Sequence, residues 1–485
     1  MKRSVDARQR QLKVHLTVLT DDNGKPVAKN APIPLYDPPV FLDVHNAERS
    51  AIIIGCGPAG LFAALTLLEH GIKPVIYERG KEVSERKRDI ALLNRNEGLN
   101  PESNYCFGEG GAGTFSDGKL FSRSKKRGNM QRVMELFHYF GAPDTVLYEA
   151  HAHIGSDKLP GIIRRMRECI LEHGGEIHFN TCINSLKDLH HSPIILAIGH
   201  SAHDTYRMLA TEGVTLETKG FAMGVRCEHP QSLINQLMYH LKGEGAKGRK
   251  GESKKDEGLI HFVGNASYSL VTQVDGRGVY SFCMCPGGHI VPAGSTADGC
   301  VVNGMSASHR NSPYANSGMV VQILPEDIPG DDPLRGLEFQ EALEREAFNQ
   351  AAVSHQPSAA PAQRLRDFVE GKPSKSLPPC SYLPGTVSSR LDQWLPAHIG
   401  KRLQQGFRDF DRKYPGFLTN DAVILGVESR SSSAVRIPRD PETLQSISTP
   451  GLYPCGEGAG YAGGNTSSAL DGINAALKIA GVAIE

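Results

Sequence analysis

The sequence predicts an α/β protein in which both ends of the chain build one parallel sheet and an α+β domain is inserted between them. Two observations predict this class. An apolar strand, a glycine-rich turn, a helix and a second strand follow one another over residues 51–78. A strand, another glycine-rich turn and a helix recur over residues 451–483. The length of 485 residues is enough for two or three domains.

The first of these units begins with the apolar strand Ile52–Ile54. The turn that follows contains Gly55, Gly57 and Gly60 in the spacing G-x-G-x-x-G, and a helix is predicted over Leu61–His70. In this motif the first glycine makes the turn, the second lets a pyrophosphate approach the backbone, and the third lets the helix pack on the strand. The amino end of the helix supplies free N–H groups and the positive end of a dipole, so the unit predicts an adenine-dinucleotide site.

The second strand of the unit, Pro74–Tyr77, ends at an acidic residue. Glu78 lies about 20 residues after the glycines, where a carboxylate can accept a hydrogen bond from a ribose hydroxyl group. Glu78 and the adjacent Arg79 are therefore predicted to be cofactor-binding residues.

The chain is predicted to divide into four parts. Residues 1–49 form a small N-terminal appendage, and residues 223–442 form the inserted domain. The two parts of the nucleotide-binding domain are residues 50–222 and residues 443–485.

Two segments of the inserted domain are predicted to lack regular structure. Residues 242–257 are rich in Lys, Gly, Glu and Ser, a composition typical of a surface loop. Residues 354–379 carry many Pro and Ser residues and predict a linker or cap segment. Helical spacing returns over Leu391–Phe410.

A second cluster of small residues lies in the segment Gly108–Leu120. A backbone with so few side chains can lie flat against a planar ligand or a phosphate, and the alternative is a solvated loop. The position after the first βαβ unit favours a ligand contact. The residues predicted to make it are Gly110, Gly111, Ala112, Gly113 and Thr114.

Four strings of residues resemble those of a known family and follow in the same order: Phe107–Leu120, Leu196–Tyr206, Ser281–Gly288 and Gly456–Gly472. They resemble the uncharacterised FAD-dependent dehydrogenases, bacterial FAD/NAD(P)-binding oxidoreductases of the two-dinucleotide flavoprotein superfamily. The resemblance covers most of the chain. It implies a Rossmann-like FAD-binding domain with an inserted substrate or cap domain, and FAD as the cofactor. One departure is the polar run at residues 465–468, where the family has a more apolar stretch.

The resemblance also implies which residues hold the cofactor. The string Pro58–Ala59 in the first turn is typical of flavin sites. Glu457 would bind the ribityl chain, and the helix that begins near Asn465 would direct N–H groups at the flavin pyrimidine. Residues 181–183 would clamp the adenine, and residues 197–199 would approach the cofactor. The other cofactor-binding residues implied in these segments are Ile183, Ala197, Gly199, Gly456, Gly464 and Thr466.

No catalytic acid or base can be assigned, and the one catalytic candidate is Cys285. It belongs to the string Cys283-Met284-Cys285, and a thiolate beside a flavin could relay electrons or add to the ring. The alternative is a structural thiol, because free cysteine is commonly a small buried hydrophobe. The functional hypothesis predicts that Cys285 lies within contact range of the flavin.

Several other polar residues leave a structural and a functional role open. Two histidines could donate protons, and five charged residues could line the inserted domain's cleft or hold an anionic group. These residues are His153, His200, Arg226, Glu228, Arg430, Arg436 and Arg439.

Together with the resemblance, the sequence predicts a cytoplasmic FAD-dependent oxidoreductase of the dehydrogenase type that transfers hydride or electrons through flavin N5. A small-molecule substrate is expected, with NAD(P)H as a candidate electron donor. The alternatives are an FAD-dependent hydroxylase or monooxygenase, an RNA-modifying flavoprotein, and a sensor that binds FAD without turnover. No nucleic acid, membrane or metal is expected. The net charge is zero, no apolar run approaches a membrane span, and the ten cysteines include no C-x-x-C pair.

Overall fold

The fold is given by a computed structural model, which describes residues 2–6, 13–17, 36–120, 128–189, 192–241 and 254–484. The strands of this part of the chain are β1 (Lys2–Asp6), β2 (Lys13–Thr17), β3 (Ser50–Ile54), β4 (Lys73–Tyr77), β5 (Glu176–His178), β6 (Ile194–Leu196), β7 (Glu217–Thr218), β8 (Phe221–Pro230), β9 (Val271–Val274), β10 (Arg277–Cys285), β11 (His289–Pro292), β12 (Val302–Met305), β13 (Tyr314–Ile323), β14 (Ala360–Arg364), β15 (Thr386–Ser388), β16 (Val423–Glu428), β17 (Val435–Arg436) and β18 (Leu452–Pro454).

The helices of the described chain are α1 (Pro58–Glu69), α2 (Val83–Asn94), α3 (Met130–Tyr139), α4 (Thr145–Tyr148), α5 (Leu159–Glu172), α6 (His203–Thr211), α7 (Gln231–Tyr239), α8 (Lys254–Val263), α9 (Arg335–Ala351), α10 (Leu365–Glu370), α11 (Leu391–Trp394), α12 (Ala397–Lys413) and α13 (Asn465–Ala480). Over the described residues, none of these helices is both long and apolar enough to cross a membrane.

A five-stranded parallel sheet takes its strands from both ends of the chain, in the order β18-β6-β3-β4-β5. Ile53 at its centre pairs with Ile76 of β4 on one side and with Ile195 of β6 on the other. All three side chains are fully buried, which explains why the strands are almost wholly apolar. The α/β class that the sequence predicts is confirmed at this level, as a fold with a parallel sheet and a mixed sheet.

Helix α1 packs against elements from both parts of the chain that build the parallel sheet. Its residues 59–68 are all buried, because it packs on β3, β4, α5 and the C-terminal helix α13. A Cβ atom at Gly60 would lie 2.0 Å from the carbonyl oxygen of Gly55, and one at Gly472 would lie 2.0 Å from that of Ala59. Only glycine allows these approaches, so the two glycines set how closely α1 packs against the sheet and against α13.

A seven-stranded mixed sheet forms a second layer, in the order β15-β14-β16-β8-β13-β10-β9. Its two longest strands, β8 and β13, pair in antiparallel orientation. Phe221 pairs with Ile323 at one end, and Pro230 pairs with Tyr314 at the other. Helix α12 packs across β8, β9, β10 and β13 and buries one apolar face there. The strands of this sheet all lie between residues 221 and 428, and the four predicted domain ranges stay a prediction.

The structure corrects three predicted elements. The linker predicted at residues 354–379 is wrong, since this segment contains β14 and α10, and β14 lies between β15 and β16 in the mixed sheet. Burial of Ala360, Ala362 and Phe368 outweighs the local Pro and Ser content. The loop predicted at residues 242–257 lies outside the described residues up to residue 253, and α8 begins at Lys254. The strand predicted over Glu176–Ile183 ends at His178.

Glu228 of β8 is a buried carboxyl group that gives the fold a pH-dependent stability. Its Oε1 accepts a hydrogen bond from the Ser381 N–H at 2.7 Å, and its other oxygen is hydrogen bonded to the Ser381 hydroxyl. Burial raises the pKa of Glu228 to about 7 from its usual 4.5. Because the folded state then holds the proton more tightly than the unfolded chain, stability is lost as the pH rises from about 4.5 to about 7.

Replacing Glu228 with glutamine is expected to remove this loss. The amide preserves both hydrogen bonds to Ser381 without a charge. The free energy of unfolding of Glu228→Gln should equal that of the wild type near pH 4 and exceed it above pH 7 by at most about 3 kcal/mol. Urea unfolding across this pH range measures the difference, with the exposed Glu168→Gln on α5 as the control. Parallel pH profiles of Glu228→Gln and wild type would contradict the assignment.

Candidate functional site

A cavity of about 610 Å³ lies at the carboxyl edge of the parallel sheet. Its lining includes Ile54 at the end of β3, Glu78 after β4, Ala197 after β6 and Cys455 after β18. In open parallel sheets, ligands bind beyond the carboxyl ends of the strands. Another part of the wall is formed by Phe282 and Cys283 of β10 in the mixed sheet and by Asn303 of β12, which pairs with β11 in a separate two-stranded sheet.

The predicted cofactor-binding residues line this cavity, with three exceptions. The exceptions are Gly60, Gly110 and Thr114, which lie behind its wall. The Gly110 N–H donates to the Cys56 carbonyl at 2.7 Å, and the Thr114 hydroxyl donates to the Glu109 carbonyl at 2.9 Å. These three residues therefore support the wall, and their part in holding the cofactor stays a prediction.

Two helix amino ends border the cavity. Helix α1 begins after Gly57 and α13 begins after Gly464, and neither N-cap residue supplies a side-chain hydrogen bond. Residues on both sides of each cap line the cavity. The first N–H groups of a helix need partners from outside it, and the helix dipole makes such an end attractive to anions. The cavity therefore has two electropositive ends that no side chain of the caps neutralises.

Glu78 ties three segments of the wall together. Its Oε2 accepts from the Cys56 N–H at 2.8 Å, and its Oε1 accepts from the N–H groups of Gly80 and Gly108 at 2.9 and 3.0 Å. The residue is only 5% exposed but still lines the cavity. Since a carboxylate has about four acceptor positions, one is left for the predicted ribose hydroxyl group.

Arg79 lies in the cavity wall and holds neighbouring segments together. Its guanidinium forms paired hydrogen bonds with Glu102, at 2.6 and 3.0 Å, and with Asp204, at 2.9 and 2.8 Å. It also lies over the Phe107 ring, 4.3 Å from the centroid. Because these partners come from three different segments, Arg79 fixes the shape of the cavity at this end.

Sequence reasoning missed the residue that positions the C-terminal turn. The Asp471 carboxylate accepts from the Gly456 N–H at 2.7 Å and from both terminal nitrogens of Arg439 at 3.0 and 2.6 Å. Arg439 also donates to the Pro454 carbonyl at 2.7 Å. The only sequence signal was an acidic residue on the helix after the glycine-rich turn.

The arginines considered as anion-binding residues have other partners. Arg430 lines the cavity, but its Nε and Nη2 donate to Glu344 at 3.0 and 2.8 Å, and Arg439 is held by Asp471. Arg436 lies 5.5 Å from the centre of the Tyr461 ring. Arg430 and Arg439 are therefore held by carboxylates of the protein itself, which agrees with a structural role for both.

The remaining polar candidates differ in whether they line the cavity and in which partners hold them. His200 lines the cavity, with its Nδ1 3.7 Å from Oε2 of Glu457, whereas His153 is hydrogen bonded to the Ser308 carbonyl outside the lining. Arg226 and Glu228 do not pair with each other. Arg226 is fully buried and pairs with Glu428.

The catalytic candidate Cys285 lies behind the cavity wall, and its contact with the flavin stays a prediction. Its side chain is fully buried and does not line the cavity, whereas Cys283 does. The pairing of β10 with β13 shifts between Phe282 and Cys285, and Cys283 has a φ of 48°, in the left-handed region. This irregularity places Cys283, two residues earlier, in the cavity wall.

The residues present fit the predicted FAD. The backbones of Gly57 and Gly111 face each other in the wall, and a Cβ atom at Gly111 would lie 3.1 Å from the Gly57 Cα. A pyrophosphate fits beside such bare backbone and the α1 amino end, and the free acceptor on Glu78 suits a ribose. In the part of the chain that the structure describes, no three His, Cys, Asp or Glu side chains are grouped to hold a metal ion.

Comparison with known proteins adds a family to this geometry. Residues 220–431 match a family described as FAD-dependent protein, C-terminal domain-like. An uncharacterized protein of Clostridium beijerinckii is 42% identical over 453 residues, which cover 90% of this chain and 81% of that protein.

Two solved structures are similar at much lower levels. CtdE in complex with FAD is 10% identical with a TM-score of 0.30, over 89% of this chain and 84% of that chain. The flavin-dependent halogenase CmlS is 12% identical with a TM-score of 0.32, over 90% and 58%. Both likenesses are too remote to bear on the fold or the function.

Proposed function

We propose that this chain, which belongs to one family with the Clostridium beijerinckii protein and matches the FAD-dependent protein, C-terminal domain-like family over residues 220–431, is an oxidoreductase of the dehydrogenase type. FAD is its cofactor. The observation that carries the proposal is the cavity between the two sheets, which has helix amino ends on one side and a wall from the mixed sheet on the other. The first side suits a dinucleotide, and the second leaves a place for a substrate.

The parallel sheet and its helices would hold the cofactor. Glu78 and residues 181–183 would bind the adenosine half, and the amino end of α1 at Gly57 would bind the pyrophosphate. The amino end of α13, with Asn465 and Thr466, would face the flavin end, where its dipole favours the negative charge of a reduced ring.

Strands β10 and β12, together with Lys119, would supply the substrate side. When bound, FAD provides a centre that accepts or donates a hydride at N5. Phe282 and Asn303 would orient a small molecule against it, and Lys119, which also lines the cavity, would attract a negatively charged group. Half-buried apolar and polar side chains on this wall would limit the access of water to the reacting atoms.

Reconstitution and anaerobic reduction test this proposal. The purified protein is expected to bind one FAD per chain and to lose its visible flavin absorbance when NADH or NADPH is added without oxygen. We propose NAD(P)H as the electron donor. After reduction, a small-molecule acceptor should reoxidise the flavin faster than oxygen does.

Three outcomes would contradict the proposal. A protein that cannot be reconstituted with FAD would remove its basis. Flavin that stays oxidised with every donor would favour a sensor, and rapid formation of a hydroxylated product in oxygen would favour a monooxygenase. The matched control is the Gly57→Asp variant, which should stay colourless under the same conditions.

A further inference from the structure

Cys283 occupies an unusual position on the substrate side of the cavity. It lies in the irregular stretch of β10 between Phe282 and Cys285, with a left-handed φ of 48°, and its side chain is part of the cavity wall. The carbonyl group of Cys283 accepts a hydrogen bond from Nη2 of the fully buried Arg226 at 2.8 Å. A buried cation therefore holds the backbone of Cys283 in this conformation.

Charged groups surround the two thiols, and the positive ones outnumber the negative ones. The cations are Lys119, Arg226 and Arg310, and the carboxylates are Asp117 and Glu428. Even with both carboxyl groups ionised, three positive charges face two negative charges. Lys119 and Arg310 are partly exposed, but Arg226 is fully buried, so one thiolate beside it would balance the cluster.

The distances connect this cluster to the sulfur of Cys285 and to the backbone of Cys283. The Lys119 ammonium lies 3.8 Å from Sγ of Cys285 and 3.1 Å from Oδ2 of Asp117, and Arg226 Nη2 lies 3.5 Å from the same sulfur. Arg310 holds Asp117 from the other side at 2.6 Å. Two other titratable groups lie at this cluster and favour their neutral forms, because burial lowers the pKa of His153 and raises the pKa of Tyr268.

The two thiols differ in burial, in hydrogen bonding and in access to the cavity. Cys285 is fully buried, and its Sγ lies 3.3 Å from the Cys283 carbonyl oxygen, where a protonated thiol can donate. Hydrogen bonding between the two thiols lowers the pKa of Cys283 well below its usual range, with help from Lys119 and Arg226, and raises the pKa of Cys285. The proton of the pair therefore stays on Cys285.

We propose that Cys283 is a reactive thiolate in the wall of the flavin cavity and the nucleophile toward a small electrophilic substrate. This inference rests on the proposed function for the identity of the cavity. With the probe iodoacetamide, the Cys283 sulfur forms a bond to the methylene carbon, and iodide leaves with the electron pair of the broken C–I bond. No proton has to be removed first, because the thiol is already ionised.

Alkylation kinetics with peptide mapping test the proposal, because each of the ten cysteines is followed separately. Iodoacetamide is added to the full-length apoprotein and to the FAD-loaded protein between pH 6 and pH 9. The internal control is Cys182, which lines the same cavity and whose pKa is raised by burial. At pH 6.5 Cys283 should react at least about tenfold faster than Cys182, and FAD should slow its reaction by a similar factor.

Three variants separate the charge from the fold. Lys119→Met should move the pH dependence of Cys283 alkylation upward by about one unit, whereas Lys119→Arg should preserve it. Lys87→Met, an exposed lysine on α2, is the matched control and should change nothing. Circular dichroism confirms that each variant is folded.

Equal rates for Cys283 and Cys182 at pH 6.5 in the wild type would overturn the proposal. Identical pH profiles for Lys119→Met and Lys119→Arg would overturn the role given to the cluster. Rapid alkylation of Cys283 in a protein that binds no FAD would support the thiolate and contradict the proposed function, so the two can fail separately.

Discussion

Replacing Gly57 with aspartate is expected to lower the affinity for FAD by at least about 100-fold without unfolding the protein. A Cβ atom at Gly57 would meet only the Gly111 Cα, at 3.8 Å, which is an ordinary contact. Aspartate is among the best N-cap residues, so its carboxylate would bond the free N–H groups of α1 that a pyrophosphate needs. The same carboxylate would repel the phosphates.

In Gly57→Asp the affinity for FAD should fall while the stability of the apoprotein does not. The apoprotein of Gly57→Asp should unfold at the same temperature as the wild type or slightly higher, since aspartate in place of glycine at an N-cap adds roughly a few tenths of a kcal/mol. Fluorescence titration with FAD measures the affinity, and thermal unfolding of the apoprotein measures the stability.

Gly57→Asn is the matched control for charge. Asparagine caps a helix as well as aspartate does but carries no charge, so its loss of affinity should be clearly smaller. Gly60→Ala tests the other role of glycine in this turn. Its Cβ atom would lie 2.0 Å from the Gly55 carbonyl oxygen, and this variant should fold poorly. Wild-type affinity in Gly57→Asp would contradict the placement of the pyrophosphate.

The parts of the fold that the sequence predicts well are those with local signals. The apolar strand, the glycine spacing and the acidic residue of the first unit lie within residues 51–78, and each is found at the expected place. The C-terminal unit has the same property. No local pattern predicts how the two units meet. Their contact is the close packing of α1 on α13 at Gly472.

The parts that the sequence does not predict depend on distant partners. Arg439 pairs with Asp471 across 32 positions and Arg430 with Glu344 across 86 positions, so nothing near either arginine indicates whether it is free to bind an anion. For the same reason, the sequence does not indicate that Cys283 lines the cavity and that Cys285 does not. The irregularity in β10 is defined against its neighbour β13, and a change of strand register alters which side chain faces the cavity.

The second large effect is expected for Arg226, where replacement by methionine should lower the free energy of unfolding by about 3–5 kcal/mol. Arg226 is fully buried and donates to Asn316 at 2.9 Å, to Glu428 at 3.3 Å and to the Cys283 carbonyl at 2.8 Å. Methionine fills the space of the aliphatic stem. It also leaves the buried Glu428 carboxylate without its cation, and this accounts for most of the loss.

The pH dependence follows from the same carboxylate. Burial already raises the pKa of Glu428 to about 7 in the presence of Arg226, and removal of the cation would raise it further. Below the unfolded pKa near 4.5 the carboxyl is neutral in both states, and above it the folded state loses stability. Urea unfolding should therefore show a larger deficit for Arg226→Met at pH 8 than at pH 5. An equal deficit at both values would contradict this cause.

The double variant Arg226→Met with Glu428→Met decides what the pair contributes. Removing both charges should recover at least about 2 kcal/mol of the loss, because exchange of a buried pair for apolar residues is often neutral. Additive losses would contradict this. The double variant removes one cation and one carboxylate, so the excess of one positive charge in the cluster is unchanged. Cys283 should nevertheless react more slowly at pH 6.5, since its carbonyl no longer has the Arg226 donor. A variant that is stable but less reactive would mean that the Arg226–Glu428 pair serves the position of Cys283 more than it serves the stability of the sheet.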